Sequence, residues 1–461
     1  MDWRAMGALA VLSSSIFLEG VDVAMLNVAL PAIRAELGLE TTTLSFVVSA
    51  YVLGYAGFLL LGGRVADLFG RRRMFLAALV TFIAFSALGG VAQEGWLLLV
   101  SRFVTGMSAA FMTPAALSLI TTNFAEGPQR NRAVLIYAST GSAGFAMGLV
   151  LGGLLTAINW RWVFFAPVIV ATGVLPFAFW LLRDSVERPA RMSFDFGGAI
   201  TLTAAMLLAA FGVTRLEHAG TTLWVGLACL GGSVVLAALF VTIERTVREP
   251  LVRLGVFRSG SLVRANLIAL LFIGSFMGFQ FLTSLYLQEV LGWTALETSL
   301  TLLVMAIDVV LAPLVSPWFV RRLGSMGTMF GGLLLASAAY LIFVNVGLDW
   351  SYLQMLPMLV LVGLAFTLVY GVMTIVATEG VGPSEQGLAS GLLNTSVQFG
   401  AALGLSAVSA VMVLNLGGAD TTGARLEALR WAYLLPASGV ALGALIAFTG
   451  LRSARRSRAA Q

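Results

Sequence analysis

Four ionisable residues lie deep inside otherwise apolar runs of this 461-residue chain: Glu19, Asp22, Arg102 and Asp308. Such a group at membrane depth costs at least ~2.5 kcal/mol on insertion scales, so it lines a pathway or pairs with another charge. Glu19 and Asp22 are three residues apart, which puts both carboxylates on one face of a helix. Two partly desolvated carboxylates that close do not both ionise easily, and that is the property a proton carrier needs. The alternative is that one of them pairs with Arg102 and simply joins two helices. Asp308 stands between Ile307 and Val309 with no charged neighbour in sequence. Either it faces a cavity as a second acidic site suited to a cationic substrate, or it pairs across helices. Gln280, Tyr286, Asn394 and Gln398, with Asn266, add polar groups at or near membrane depth, as substrate contacts or as ordinary interhelical hydrogen bonds. Other chemistries lack their residues. All 27 basic residues are Arg, and there is one His (His218) and one Cys (Cys229). A disulfide framework is impossible, and neither a metal site nor a nucleophile–base pair is expected. Protons carried by carboxylates are the expected coupling ion, with no cofactor.

These groups need membrane helices to hold them. With 59% hydrophobic and 11% charged residues and a mean hydropathy of +0.96, a water-soluble fold is excluded. A helix of roughly 20 apolar residues crosses a ~30 Å hydrocarbon core. That measure predicts an all-α polytopic membrane protein with fourteen segments, beginning near Met6, Leu44, Met74, Trp96, Ala133, Trp162, Phe196, Leu223, Leu262, Leu296, Met326, Tyr352, Gly387 and Trp431. The first, Met6 to Pro31, has no signal-type cleavage site and reads as a retained helix. Twenty-one Arg fall in loops on the side of the termini and only Arg34, Arg161, Arg215, Arg425 and Arg430 opposite, so both termini are expected in the cytoplasm. The net charge of +5 is spread over these short loops rather than gathered on one aqueous face, so no nucleic-acid partner is expected. The expected partners are the bilayer, protons and a small amphipathic, possibly cationic substrate, with the chain a monomer in the cytoplasmic membrane.

An internal repeat is visible. Gly63-Arg-Val-Ala-Asp67-Leu-Phe-Gly70 aligns with Pro317-Trp-Phe-Val-Arg321-Arg-Leu-Gly324 at an offset of 254. Ala133, Gly144 and Gly148 align with Ala389, Gly400 and Gly404 at 256. The organisation expected is a six-helix bundle over 1–192, two inserted helices over 193–258, and a second six-helix bundle over 259–461.

At this point the chain resembles the major facilitator superfamily, and within it the fourteen-helix drug:proton antiporter branch. Gly63-x-x-x-Asp67-x-x-Gly70-Arg71-Arg72-Arg73 matches the superfamily's loop signature between helices 2 and 3. Asp22-x-x-x-x-Asn27-Val-Ala-Leu-Pro31 is similar to the branch's first-helix motif, with Ala24 where Thr is usual, and Arg102-x-x-x-Gly106 to its fourth-helix signature. Asn159-Trp160-Arg161-Trp162-Val163-Phe164 resembles its turn between helices 5 and 6. Gly141, Gly144, Gly148 and Gly152 follow the antiporter signature of helix 5 as a close-packing face, although Leu149 stands where that signature has Pro. The resemblance implies two bundles rocking about a central site. Asp67 and the Arg run would gate the cytoplasmic face, although the Arg run also reads as a topology determinant alone. Asp22, Glu19 and Arg102 would couple protons to export of amphipathic drugs or metabolites. A proton-coupled uptake symporter and a lipid or envelope translocase stay open as alternatives. Catalysis is not expected.

Overall fold

The computed structural model describes residues 3–124, 128–182, 195–215, 223–247, 255, 259–379, 386–418 and 421–459. His218 and the expected boundary at 192/193 lie outside them. Every regular element among the described residues is helical. A backbone in lipid must satisfy its N–H and C=O groups within its own segment, and long apolar helices do so. They are α1 (Trp3–Leu37), α2 (Thr41–Phe69), α3 (Arg71–Gly90), α4 (Gly95–Asn123), α5 (Pro128–Ile158), α6 (Trp162–Leu181), α7 (Phe196–Arg215) and α8 (Leu223–Thr246). There follow α9 (Gly260–Leu285) with a π turn Tyr286–Val290, α10 (Ala295–Leu303) with a 3-10 turn Val304–Ile307, and α11 (Asp308–Phe343). The last are α12 (Tyr352–Thr378), α13 (Gln386–Leu416) and α14 (Thr422–Ala459).

Among the described residues eleven stretches are long and apolar enough to cross a membrane, against the fourteen expected. At the other three positions, beginning near Leu44, Phe196 and Leu296, the described residues give the shorter apolar runs Phe46–Leu59, Gly197–Ala209 and Ala295–Ile307.

Contacts divide the chain into two compact units. The first comprises Met1–Ala204, Thr246–Leu251 and Thr294–Leu300; the second comprises Ala205–Arg245, Val252–Trp293 and Thr301–Gln461. In the first, α1 packs along α5 and against α6, α2 along α4, and α3 against α4 and α6. In the second, α9 packs along α13 and against α14, and α11 against α12 and α14. The pairing scheme of the first unit thus recurs in the second. α7 is tied to α2, where the Thr203 hydroxyl donates to the Gly57 carbonyl at 2.5 Å.

Lipid tails are as apolar as Leu, so helix association in a membrane rests on close packing rather than on the hydrophobic effect. The glycines of the repeat supply it. A methyl group on Gly144 would come within 2.5 Å of the Phe17 carbonyl oxygen, and one on Gly148 within 2.7 Å of that of Val21. Gly141 meets the Ile16 side chain and Gly152 the Met25 Cα in the same way. Their repeat partners Gly400 and Gly404 sit against the backbone of Leu270 and Gly274 in α9. The α1–α5 and α9–α13 seams are therefore the same construction.

Gly70 is at once the last cap of α2 and the first of α3. Its N–H donates to Ala66 O and its carbonyl accepts from Met74 N–H, with φ at 101°. Gly324, 254 residues on, breaks α11 with φ at 75°. Gly70→Ala is expected to cost about 1–3 kcal/mol through backbone strain, and Gly324→Ala a similar amount. Gly63→Ala, whose new methyl would rest 3.8 Å from Pro114, should leave the melting temperature unchanged. Thermal melts of the three purified variants check this.

α6 carries a tryptophan near each end, Trp162 and Trp180, 42% and 65% exposed. Trp180 pairs with Trp3 at 5.7 Å between ring centroids.

Candidate functional site

The centre of the first unit is set by one close approach. α4 lies on α2 at Gly106, where a methyl group would overlap the Tyr51 carbonyl oxygen. One turn earlier, Arg102 is thereby pressed onto the Tyr51 ring, its guanidinium carbon 4.5 Å from the ring centroid and 6.0 Å from that of Phe164. A cation over an aromatic face is attracted by the ring quadrupole, and more strongly when desolvated. Arg102 Nη1 also donates to Asp22 Oδ2 at 2.7 Å, each side chain 2% exposed. The spacing Arg102-x-x-x-Gly106 thus has a local reason: the glycine brings the helices together and the arginine, one turn away on the same face, spans to α1. The glycine face of α5 holds α1 from its other side. A buried ion pair is weak evidence for stability, yet breaking it by removing one partner costs about 3–5 kcal/mol.

Glu19 serves different neighbours. Its Oε2 accepts from the Tyr55 hydroxyl at 3.1 Å and the Thr113 hydroxyl at 3.2 Å. Tyr137 donates to the Thr113 carbonyl at 3.5 Å, and the Tyr51 and Tyr55 rings meet edge to face at 6.3 Å. The two carboxylates share a helix face, as their spacing predicts, but Asp22 meets a guanidinium and Glu19 meets hydroxyls. Sequence reasoning missed Tyr51, Tyr55, Thr113 and Tyr137. The available signal was Tyr51 and Tyr55 one turn apart on a largely apolar helix.

A cavity of about 570 Å³ opens along α1 and α5, lined among others by Met6, Leu9, Ser13, Ser14, Phe17 and Thr140. Apolar walls with a few hydroxyls suit an amphipathic molecule. Continuing along α1 past Phe17 leads within two turns to Glu19 and Asp22.

The candidates of the second unit are spread along three helices. Gln280 is buried in α9. Tyr286 is fully buried, and its hydroxyl donates to Gly347 O at 2.6 Å, tying the π turn to the segment after α11. Asn394 is exposed and Gln398 half-buried on α13. Asp308 is half-buried at the start of α11, just after the 3-10 turn. α12 approaches that turn at Gly363, where a methyl group would come within 2.8 Å of Met305 O. Met305 follows Tyr51 by 254 residues, so this approach repeats that of Gly106 on Tyr51.

In the loop motif, Arg72 Nη2 donates to Phe179 O at 2.9 Å, near the end of α6, while Arg71 is half-buried and Arg73 exposed. Asp67 ends in the last turn of α2, and its side chain lies outside the described residues. Cys229 is half-buried in α8. Among the described residues no cluster of His, Cys, Asp or Glu could hold a metal ion.

Known proteins resemble this chain in sequence and in fold. The family model described as Major Facilitator Superfamily matches residues 12–405. The chain is 34% identical to the "Cephamycin export protein CmcT" of Amycolatopsis lactamdurans over 91% of this chain and 86% of that protein. It is 33% identical to the "Lincomycin resistance protein" of Streptomyces lincolnensis over 98% and 92%. Among solved structures, a POT family transporter in complex with a thioalcohol-conjugated peptide aligns with a TM-score of 0.71 over 97% of this chain and 96% of that one. Its 16% identity makes it evidence of fold only.

Proposed function

The chain belongs to the Major Facilitator Superfamily, and we propose on that footing that it is a proton-driven exporter of amphipathic, cationic or neutral small molecules, of the superfamily's fourteen-helix antiporter branch. The observation that carries this reading is the buried Asp22–Arg102 ion pair with Glu19 one turn away on the same helix face. A proton arriving at Asp22 cancels its charge and loosens its hold on Arg102, so the α1–α4 link has a paired and a released form. Such a bistable contact is what a conformational cycle biases. In the cycle proposed, outside protons load Asp22 and Glu19 and weaken substrate binding, and their release to the cytoplasm restores it. At a potential of 100 mV each proton contributes about 2.3 kcal/mol of drive. The printed names of the relatives, an antibiotic export protein and an antibiotic resistance protein, support the outward direction and a secondary metabolite as substrate. The cavity along α1 and α5 supports an apolar body on that substrate. The excess of Arg beside the termini supports a cytoplasmic location for both.

Cells expressing the chain should accumulate less dye and antibiotic than controls, and a protonophore should abolish the difference. Equal accumulation with and without the protonophore would sink the proton-coupled reading. Glu19→Gln removes the second proton site of this cycle, so gradient-driven efflux of cationic and neutral compounds alike should fall about tenfold or more. Efflux kept for neutral compounds and lost for cationic ones would take Glu19 out of the proton path.

A further inference from the structure

Three of the five Arg on the sparse side of the topology are engaged in a device that occurs once in each half of the chain. In the first unit Arg161 precedes α6. Its Nη1 donates to Ala92 O at 3.0 Å, just beyond the end of α3, and its Nη2 to Glu36 Oε1 at 2.9 Å, at the end of α1. Trp160 Nε1 donates to the other Glu36 oxygen at 2.7 Å, the Arg161 guanidinium lies 4.3 Å over the Trp160 ring, and Asn159 Oδ1 accepts the Arg161 N–H at 2.9 Å to shape the turn. In the second unit Arg430 donates through Nε and Nη2 to Val346 O at 2.8 and 2.6 Å, just beyond the end of α11, while Arg425 Nη1 donates to Glu289 Oε2 at 3.3 Å, in the π turn that ends α9.

The correspondence is one of sequence as well as geometry. Val346 follows Ala92 by 254 residues and Glu289 follows Glu36 by 253. Arg161-Trp162-Val-Phe164-Phe-Ala-Pro167 returns as Arg430-Trp431-Ala-Tyr433-Leu-Leu-Pro436, 269 residues on. An exposed ion pair alone contributes little. Here Arg161 and Arg430 also sit on a carbonyl just past a helix C-terminus, where the helix dipole favours a cation.

We propose that these are homologous clamps, each locking the first, third and sixth helix ends of its own half throughout the transport cycle. In the first half Arg161 makes both ties, whereas in the second Arg430 and Arg425 divide them. Loss of Arg161 therefore releases both ties at once, whereas loss of Arg430 or Arg425 releases one. This inference does not rest on the export reading, because its test reads distances within one half.

Full-length protein in nanodiscs, with Cys229→Ala, would carry spin labels at Gln93→Cys and Ile158→Cys for the first clamp, or at Leu348→Cys and Gly423→Cys for the second. Each pair should give one narrow distance that stays the same in mildly acidic and mildly alkaline buffer. R161Q should broaden the first distribution. R430Q should broaden the second distribution, because it removes the tie between α14 and Val346 that this label pair spans, whereas R425Q, which releases only Glu289, should leave it narrow. Should R161Q fail to accumulate, E36Q is expected to widen the first distribution partially. A wild-type distance that changes with pH, or an unchanged width in R161Q or E36Q, would overturn the proposal.

Discussion

Protonophore-sensitive efflux is expected to vanish in Asp22→Asn. The asparagine keeps the size of the side chain and can still accept a hydrogen bond from Arg102, but it cannot take up or release a proton at membrane depth. It also leaves Arg102, 2% exposed, without its counter-charge. Removing one member of a buried pair costs about 3–5 kcal/mol, so lost efflux alone would not separate coupling from folding. The double variant Asp22→Asn/Arg102→Gln removes both charges together. It should recover most of the melting temperature lost by the single variant and none of the efflux. Dye export by inverted vesicles and thermal melts of the purified proteins give the two readings. Unchanged gradient-driven export in Asp22→Asn would remove Asp22 from the coupling path.

The second large effect is expected at Gly106. A first side-chain carbon there would overlap the Tyr51 carbonyl oxygen, a backbone atom that cannot rotate aside. Gly106→Leu must push α4 away from α2, and Arg102, one turn earlier, leaves the Tyr51 ring and Asp22 with it. Overpacking costs 1–3 kcal/mol even where side chains can shift, and more where backbone must. The variant should therefore fail to yield monodisperse protein on size exclusion. Gly173→Leu in α6, where nothing lies within 4 Å of the added carbon, is the matched control and should be recovered at wild-type yield. Equal yields would mean that α2 and α4 tolerate separation and that the motif has another purpose.

The all-helical membrane fold was legible because apolar length and internal hydrogen bonding leave few other solutions in lipid. The repeat was legible where a residue type was demanded by backbone: Gly70 and Gly324 need their positive φ, and Gly144, Gly148, Gly400 and Gly404 stand at backbone contact. The pairing of Asp22 with Arg102 was among the alternatives, since few embedded charges were available as partners. The hydroxyls around Glu19 were not legible. Ser, Thr and Tyr recur throughout these helices, and no spacing rule says which of them turn toward a carboxylate on another helix. Arg161 was legible as part of a turn motif and as a charge on the sparse side, and Arg430 as such a charge, but neither a motif nor a charge count carries information about which carbonyl a guanidinium reaches.

The two tryptophans of α6 act as a gauge. Trp162 and Trp180 are eighteen residues apart in sequence, which at ~1.5 Å per residue is about 27 Å along the axis. Amphipathic indoles settle at headgroup level, so this helix is dimensioned for a hydrocarbon layer near ~30 Å. In a thicker bilayer both rings cannot stay at their interfaces, and tilting would draw them deeper still. The lipid must thin locally around α6, or one indole must give up its headgroup berth. Because Trp180 is in ring contact with Trp3, and Trp162 adjoins the Arg161 clamp, bilayer thickness acts on both ends of the first unit through a single helix.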